Sequence, residues 1–386
     1  MTSNDLIYLD YQATTPIDEL VLADIVDTAR RSFANPHSTD HPLGWRAAEE
    51  VAAASQRIIL ALQASDHAVV FTSGATESNN LALLGAWSHL ERSGRTEVLL
   101  SSFEHACVRA SGAELERRGA ELRQIPVTSA GEVDPKSIEK LCSERTGLCS
   151  LMAVNNEVGT ILPVRDAAAI AHRHGAIFHT DASQAIGRIP VNLHQWNADL
   201  CSISGHKCYG PKGIGALIVR KSLVQSLSAR VFGGEQQLKL RPGTVPVELC
   251  VGLARAVEIA VARQAAEWSV AKEHSALFLD TLARASGELP IINGTRENRV
   301  PHNLNVRFAG IAAESLLDAM TRTCVSRGSA CSSEGNKPSV SLTAMGLPPQ
   351  EIEESFRVGF GRMTSDAEVE AAALDIASAI RLARAL

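Results

Sequence analysis

Apolar positions follow two alternating rhythms over the first two-thirds of the chain. Short runs rich in β-branched residues, HAVVFT (67–72), EVLLSS (97–102), GLCSLMAVN (147–155), GAIFHTD (175–181), DLCSIS (199–204) and GALIVR (215–220), predict strands. Segments with helical spacing, such as ESNNLALLGAWSHLERSG and VRDAAAIAHRHG, lie between them. Strands separated by helix-length crossovers predict a mostly parallel sheet with helices on both faces. From about Pro246 the Ala-rich stretch ELCVGLARAVEIAVARQAAEWSVAKEHSALFLDTLARAS predicts one or two long helices leaving that unit. The tail from roughly residue 285 combines the short strands NLNVRF and SFRVGF with terminal helices, which predicts a smaller α+β unit. Between them SRGSACSSEGNKPS (326–339), rich in Gly, Ser and Asn, predicts an exposed loop.

Composition narrows the class. A chain of 386 residues, 45% of them hydrophobic, can build one large α/β domain with a smaller companion. Its 37 basic and 43 acidic residues are scattered, for a net charge of -6. No Lys/Arg block suggests direct nucleic-acid binding. No apolar run reaches membrane-spanning length, and the N-terminus lacks a signal-peptide layout. The eight cysteines form no C-x-x-C pair, so neither a zinc site nor a redox couple is suggested. They read as reduced thiols of a cytoplasmic protein.

Chemistry gathers where strands end, the edge at which open parallel sheets bind ligands. HAVVFTSGATESNN is a strand, a glycine turn and a helix start at Thr76, with backbone N–H groups and a dipole suited to phosphate. The same letters also suit an ordinary helix cap. GAIFHTDASQ ends a strand on Asp181, with Gln184 three residues on. A carboxylate there can keep a pyridine nitrogen protonated, or can simply cap a helix. SISGHKCYGPKGIGAL places Lys207 between a strand and a glycine-rich turn, beside Ser204 and His206. A lysine whose pKa is lowered by such surroundings forms Schiff bases. The glycines at 210–215 match neither a Walker A loop nor the G-x-G-x-x-G fingerprint. Schiff-base lysine, ring-nitrogen carboxylate and phosphate-binding turn together point to pyridoxal 5'-phosphate (PLP).

The segments YLDYQATTP (8–16), ANPHSTDHPLG (34–44), FTSGATESNN (71–80), FEHACV (103–108), VNNEVGT (154–160), HTDASQAIG (179–187), SGHKCYGPKGIG (204–215), RPGT (241–244) and SRGSACSS (326–333) occur in order along nearly the whole chain. In that order they resemble the cysteine desulfurases of the NifS/IscS type, class-V aminotransferase-like PLP enzymes. The resemblance implies an α/β, PLP-dependent aspartate-aminotransferase-like fold: a large domain with a mostly parallel sheet plus a small α+β domain. Residues 15–258 would form the large domain. Residues 1–14 and 259–386 would form the small one, carrying the catalytic-cysteine loop (326–339).

Roles follow position by position from the resemblance. Lys207 would hold the cofactor as a Schiff base and shuttle the substrate Cα proton. His105 would stack on the pyridine face and move protons, and Asp181 would pair with the ring nitrogen. Gln184 and Asn156 would contact the phenolic-oxygen side. Thr76, Ser204 and His206 would bind the phosphate together with the backbone N–H of Ala75, and Thr244 would reach it from the partner subunit of a homodimer. Arg357, rather than Arg362, would grip the substrate carboxylate as a bidentate fork, with Asn156 nearby. Cys331 would attack the substrate sulfur as a thiolate, take it as a persulfide and leave alanine. L-cysteine is the implied substrate and a sulfur-acceptor protein the implied partner; such enzymes feed iron–sulfur assembly, tRNA thiolation and DNA phosphorothioation. A selenocysteine lyase or aminotransferase on the same fold, or a non-catalytic sulfur-relay scaffold, stands as the alternative. Arg327 departs from the small residue common beside this loop. Cys107, Cys142, Cys149, Cys201, Cys250 and Cys324 read as small buried residues, and Cys208 as structural. His172, His174, His194 and His302 read as structural or surface groups.

Overall fold

The structure, a computed structural model, describes residues 6–328 and 338–385. Its strands are β1 (Ile7–Tyr8), β2 (His67–Thr72), β3 (Glu97–Ser101), β4 (Glu121–Ile125), β5 (Thr146–Ser150), β6 (Ile177–Asp181), β7 (Leu200–Ser204) and β8 (Gly215–Arg220), then β9 (Ile291–Ile292), β10 (Asn303–Arg307), β11 (Thr323–Cys324) and β12 (Ser355–Gly359). Strands β2 to β8 make one sheet in the order β2-β8-β7-β6-β5-β3-β4. All its neighbours are parallel except those of β8, which runs against both β2 and β7. The α/β architecture with a mainly parallel sheet therefore matches the expectation from the hydrophobic pattern.

Alternation along each strand fills both faces. Phe71, Leu99, Cys149, Phe178, Cys201 and Ile218 join one buried cluster, while Val70, Val98, Leu148, Ile177, Leu200 and Val219 join the cluster on the opposite face. A sheet buried on both sides shows continuous apolar runs, which is why these strands were visible in the sequence. Edge strand β4, ELRQI, was not: only Ile125 is buried, so it carries no apolar run.

The smaller sheet has β10 between β12 and β9, both antiparallel to it. Its core includes Phe278, Phe308, Phe356 and Ile376, joined by Ile7 and Leu9 from the N-terminal segment. One 40-residue helix, Val247–Ser286, connects the two cores. Its first part contributes Val251, Val257 and Ala260 to the large core, and its last part Phe278 and Leu282 to the small one. The expected boundary at 258/259 thus falls inside a continuous helix. No helix among the described residues is long and apolar enough to cross a membrane.

Candidate active site

The C-terminal ends of β2, β7, β6, β5 and β3 share one edge of the large sheet, and the expected site residues follow them. Pairing sets the register: Thr72 and Ser204 both face Gly215, so the end of β2, the start of β8 and the end of β7 lie in one row. A Cβ on Gly215 would sit 2.5 Å from the Ile203 carbonyl oxygen and 2.7 Å from the Gly74 Cα. Backbone packs on backbone here, which explains the glycine. Gly74, at φ 150°, adopts a conformation that a residue with a Cβ rarely reaches.

Gly74 is the N-cap of the helix Ala75–Arg92 and provides no side-chain cap. Glu77 instead accepts from the Ser73 backbone N–H at 2.6 Å and pairs with Arg241 at 3.1 Å. Ala75 and the exposed Thr76 lie in that uncapped first turn, and its dipole favours an anion. Arg241 brings the RPGT segment against this turn, with Thr244 exposed three residues on.

Lys207 closes a short 3₁₀ turn, Gly205–Lys207, directly after β7. Its Nζ donates to the carbonyl oxygens of Gln12 (2.6 Å) and Ala13 (2.8 Å), so the N-terminal segment is strapped across the lysine. Gln12 is itself fixed: its side-chain Nε2 donates to the His302 carbonyl at 2.8 Å. His206 contacts the Thr14 hydroxyl through Nδ1 at 3.2 Å. Burial, with Lys207 and Lys212 nearby, pushes its pKa down to about 4, so the ring is neutral at neutral pH. Ser204 is buried beside this turn.

Asp181 ends β6 and is 6% exposed. Its Oδ2 accepts from Asn79 Nδ2 at 2.7 Å and its Oδ1 from the Ser183 N–H at 2.9 Å. It has no cationic salt-bridge partner among the described residues. His105 caps the helix Ala106–Arg117, its Nδ1 accepting from the Cys107 N–H. Glu104 beside it is fully buried, accepts from the Met152 N–H at 2.7 Å and has its pKa pushed up to about 8, chiefly by burial and then by Asp181. Asp181 therefore sits beside a protonated, neutral neighbour instead of a second carboxylate. Gln184 uses its amide on the Gln12 carbonyl and on Arg188.

Arg357, on β12, is 1% exposed. It donates to the Asn156 carbonyl (2.9 Å), the Asp10 carboxylate (2.6 Å) and the Ser326 hydroxyl (3.0 Å), while its Nε–H has no hydrogen-bond partner among the described residues. Arg362 is engaged elsewhere, with Asp18 and Glu267 and over the Tyr209 ring at 4.0 Å. Cys331 lies outside the described residues. The chain on either side of its segment converges on Glu157: Ser339 and Ser341 donate to that carboxylate, and a Cβ on Gly328 would lie 3.3 Å from it. Arg327 pairs with Glu314 on the helix Ala313–Ala319 at 3.3 Å.

The residues present suit PLP. A buried carboxylate lacking a cationic partner is costly unless a protonated group meets it, and the ring nitrogen is such a group. An uncapped helix N-terminus over paired glycines leaves room and donors for a phosphate.

Sequence reading missed Asn79, Asp10, Gln12 and Glu104, which hold the expected residues in place. It also took Cys107 for a buried residue, whereas it is half-buried against His105. Cys324 departs from that reading in the same way, being half-buried, whereas Cys142, Cys149, Cys201 and Cys250 are buried, as is Cys208, whose thiol burial pushes up to about 12.

With the geometry in place, residues 7–372 match the family model described as aminotransferase class-V. The chain belongs to this family, among its cysteine desulfurases of the NifS/IscS type. It is 38% identical over 380 residues to the cysteine desulfurase IscS of Rickettsia felis, covering 98% of this chain and 92% of that protein. A solved NifS-like protein superposes with a TM-score of 0.89 at 30% identity, covering 98% of this chain and 100% of the other. SspA, solved in complex with cysteine, gives 0.80 at 34% identity, over 92% of this chain and 98% of that one.

Proposed function

We propose that this chain is a PLP-dependent L-cysteine desulfurase, which converts L-cysteine to L-alanine and hands the sulfur, through a persulfide on Cys331, to an acceptor protein. The observation that carries the reading is the meeting, at one sheet edge, of Lys207, the Asp181 carboxylate, which has no cationic partner among the described residues, and the uncapped turn at Ala75. When bound there, PLP acts as an electron sink for charge developing at the substrate Cα.

The chain's own groups do the remaining work. Ala75 N–H, Thr76, Ser204 and the neutral His206 hold the phosphate, and Thr244 of a second copy completes that grip in a homodimer. Asp181 holds the proton on the ring nitrogen. His105 covers the ring, with Asn156 and Gln184 beside its phenolic oxygen. The Nζ of Lys207 anchors the cofactor and carries the Cα proton, held in place by the Gln12 and Ala13 carbonyls. Arg357 receives the substrate carboxylate through the Nε–H, which has no hydrogen-bond partner among the described residues. The Cys331 thiolate takes the sulfur: Cys–SH and L-cysteine become Cys–S–SH and L-alanine. Ser326 supports this assignment, because it borders the segment that carries Cys331 and contacts Arg357 directly.

The test is direct. The purified protein should be yellow, bleach with borohydride and form L-alanine from L-cysteine. Lys207→Ala should abolish the borohydride-reducible linkage, and Cys331→Ser should abolish protein-bound sulfane sulfur. Undiminished sulfide release by Cys331→Ser would overturn the persulfide route.

A further inference from the structure

We propose that Cys107 is a positioning residue for His105, and that Asn79 joins this pair to Asp181 in one hydrogen-bonded chain. The inference rests on the roles given above to His105 and Asp181. Cys107 Sγ lies 3.0 Å from His105 Nδ1, and the Cys107 backbone N–H points at the same nitrogen from 3.3 Å. The cap N–H at a long 3.3 Å and the Cys107 S–H at 3.0 Å both need Nδ1 as their acceptor, so Nδ1 presents its lone pair. The imidazole proton then sits on Nε2.

Asn79 fixes the rest. Its Nδ2 donates one hydrogen to Asp181 Oδ2 at 2.7 Å and the other to Cys107 Sγ at 3.2 Å. The amide cannot be turned over, because its oxygen would then face a carboxylate. This orientation leaves Asn79 Oδ1 buried without a partner among the described residues, a cost accepted so that both donors are used. Because Cys107 sulfur accepts from Asn79, its single S–H is free to point at Nδ1. The chain Asp181–Asn79–Cys107–His105 thus links the carboxylate under the ring nitrogen to the imidazole over the ring face. Alanine at 107 removes both the acceptor and the S–H donor. Serine retains both functions.

The experiment reads the tautomer without turnover. The chain has twelve histidines, so ¹⁵N-histidine spectra of the cofactor-loaded full chain are assigned for His105 by comparison with His105→Gln. The wild type and Cys107→Ser should carry the His105 proton on Nε2; Cys107→Ala loses the 3.0 Å sulfur contact, keeps the long 3.3 Å backbone N–H, and should show a second population with the proton on Nδ1. A wild-type proton on Nδ1, or a Cys107→Ala spectrum unchanged from the wild type, would overturn the proposal. The tautomer is independent of which reaction runs, so failure of the desulfurase reading would leave this result standing. In turnover with L-cysteine, Cys107→Ala should lower kcat about tenfold and leave KM within about twofold, with Cys107→Ser restoring it. Wild-type kcat in Cys107→Ala would count against the proposal.

Discussion

Arg357 and Asp10 form a partly buried ion pair, Nη2 to Oδ1 at 2.6 Å, between β12 and the N-terminal segment. The guanidinium is 1% exposed, so its charge is stabilised by this carboxylate, by the Asn156 carbonyl and by Ser326. Its Nε–H has no partner among the described residues and is placed to meet a substrate carboxylate.

Arg357→Lys should retain the charge and lose the planar fork. We expect KM for L-cysteine to rise about a hundredfold, since a charge-assisted hydrogen bond contributes roughly 1.5–3 kcal/mol, while the cofactor spectrum stays normal. Steady-state kinetics with absorbance spectra check this. An unchanged KM would remove Arg357 from the substrate site.

Asp10→Ala should leave the buried guanidinium without its counter-charge and lower stability by about 3 kcal/mol. Urea denaturation of the variant against the wild type measures it.

Glu104 gives a pH signature. Its folded pKa is pushed up to about 8, above the ordinary 4.5, because burial and the Asp181 charge disfavour ionisation. The folded state then binds more protons than the unfolded state between those two values. This contribution is complete below pH 4.5 and is lost as pH rises through 8. The stability of the wild type relative to Glu104→Gln should therefore fall steadily from pH 5 to pH 8. Parallel denaturation curves at both ends of that window would contradict the assignment.

Asp181→Asn keeps shape and the Ser183 contact but removes the charge. L-alanine formation should fall by about 10²–10⁴ while the borohydride-reducible linkage at Lys207 persists. Turnover near the wild-type rate would mean that the carboxylate only caps the Ser183 turn.

Gly215→Ala would push a methyl against the Ile203 carbonyl and the Gly74 backbone, at 2.5 and 2.7 Å. A cost of about 1–3 kcal/mol should follow. Because Gly74 caps the helix that begins at Ala75, cofactor retention should weaken as well. Thermal melts and dialysis against cofactor-free buffer measure the two effects.

Part of this protein is written locally in its sequence. Strands β2, β3, β5, β6, β7 and β8 sit in the middle of a sheet covered on both faces, or on its well-packed β2 edge, and burial required apolar runs that are visible letter by letter. The glycines at 74 and 215, the Asp181 strand end and the Lys207 turn were legible for a similar reason: each needs a residue type at a fixed distance from a strand end. Strand β4 was not, because its exposed edge tolerates Glu, Arg and Gln. Tertiary structure alone decided which distant residues hold those groups. Gln12 reaches Lys207 across 195 positions, Asp10 reaches Arg357 across 347, and Asn79 reaches Asp181 across 102. Such contacts depend on how segments far apart in the chain pack together, and no local spacing records them. Cys107 shows the difference most plainly: alone it is a small, moderately apolar residue, and only the fold brings its sulfur between Asn79 and the imidazole of His105.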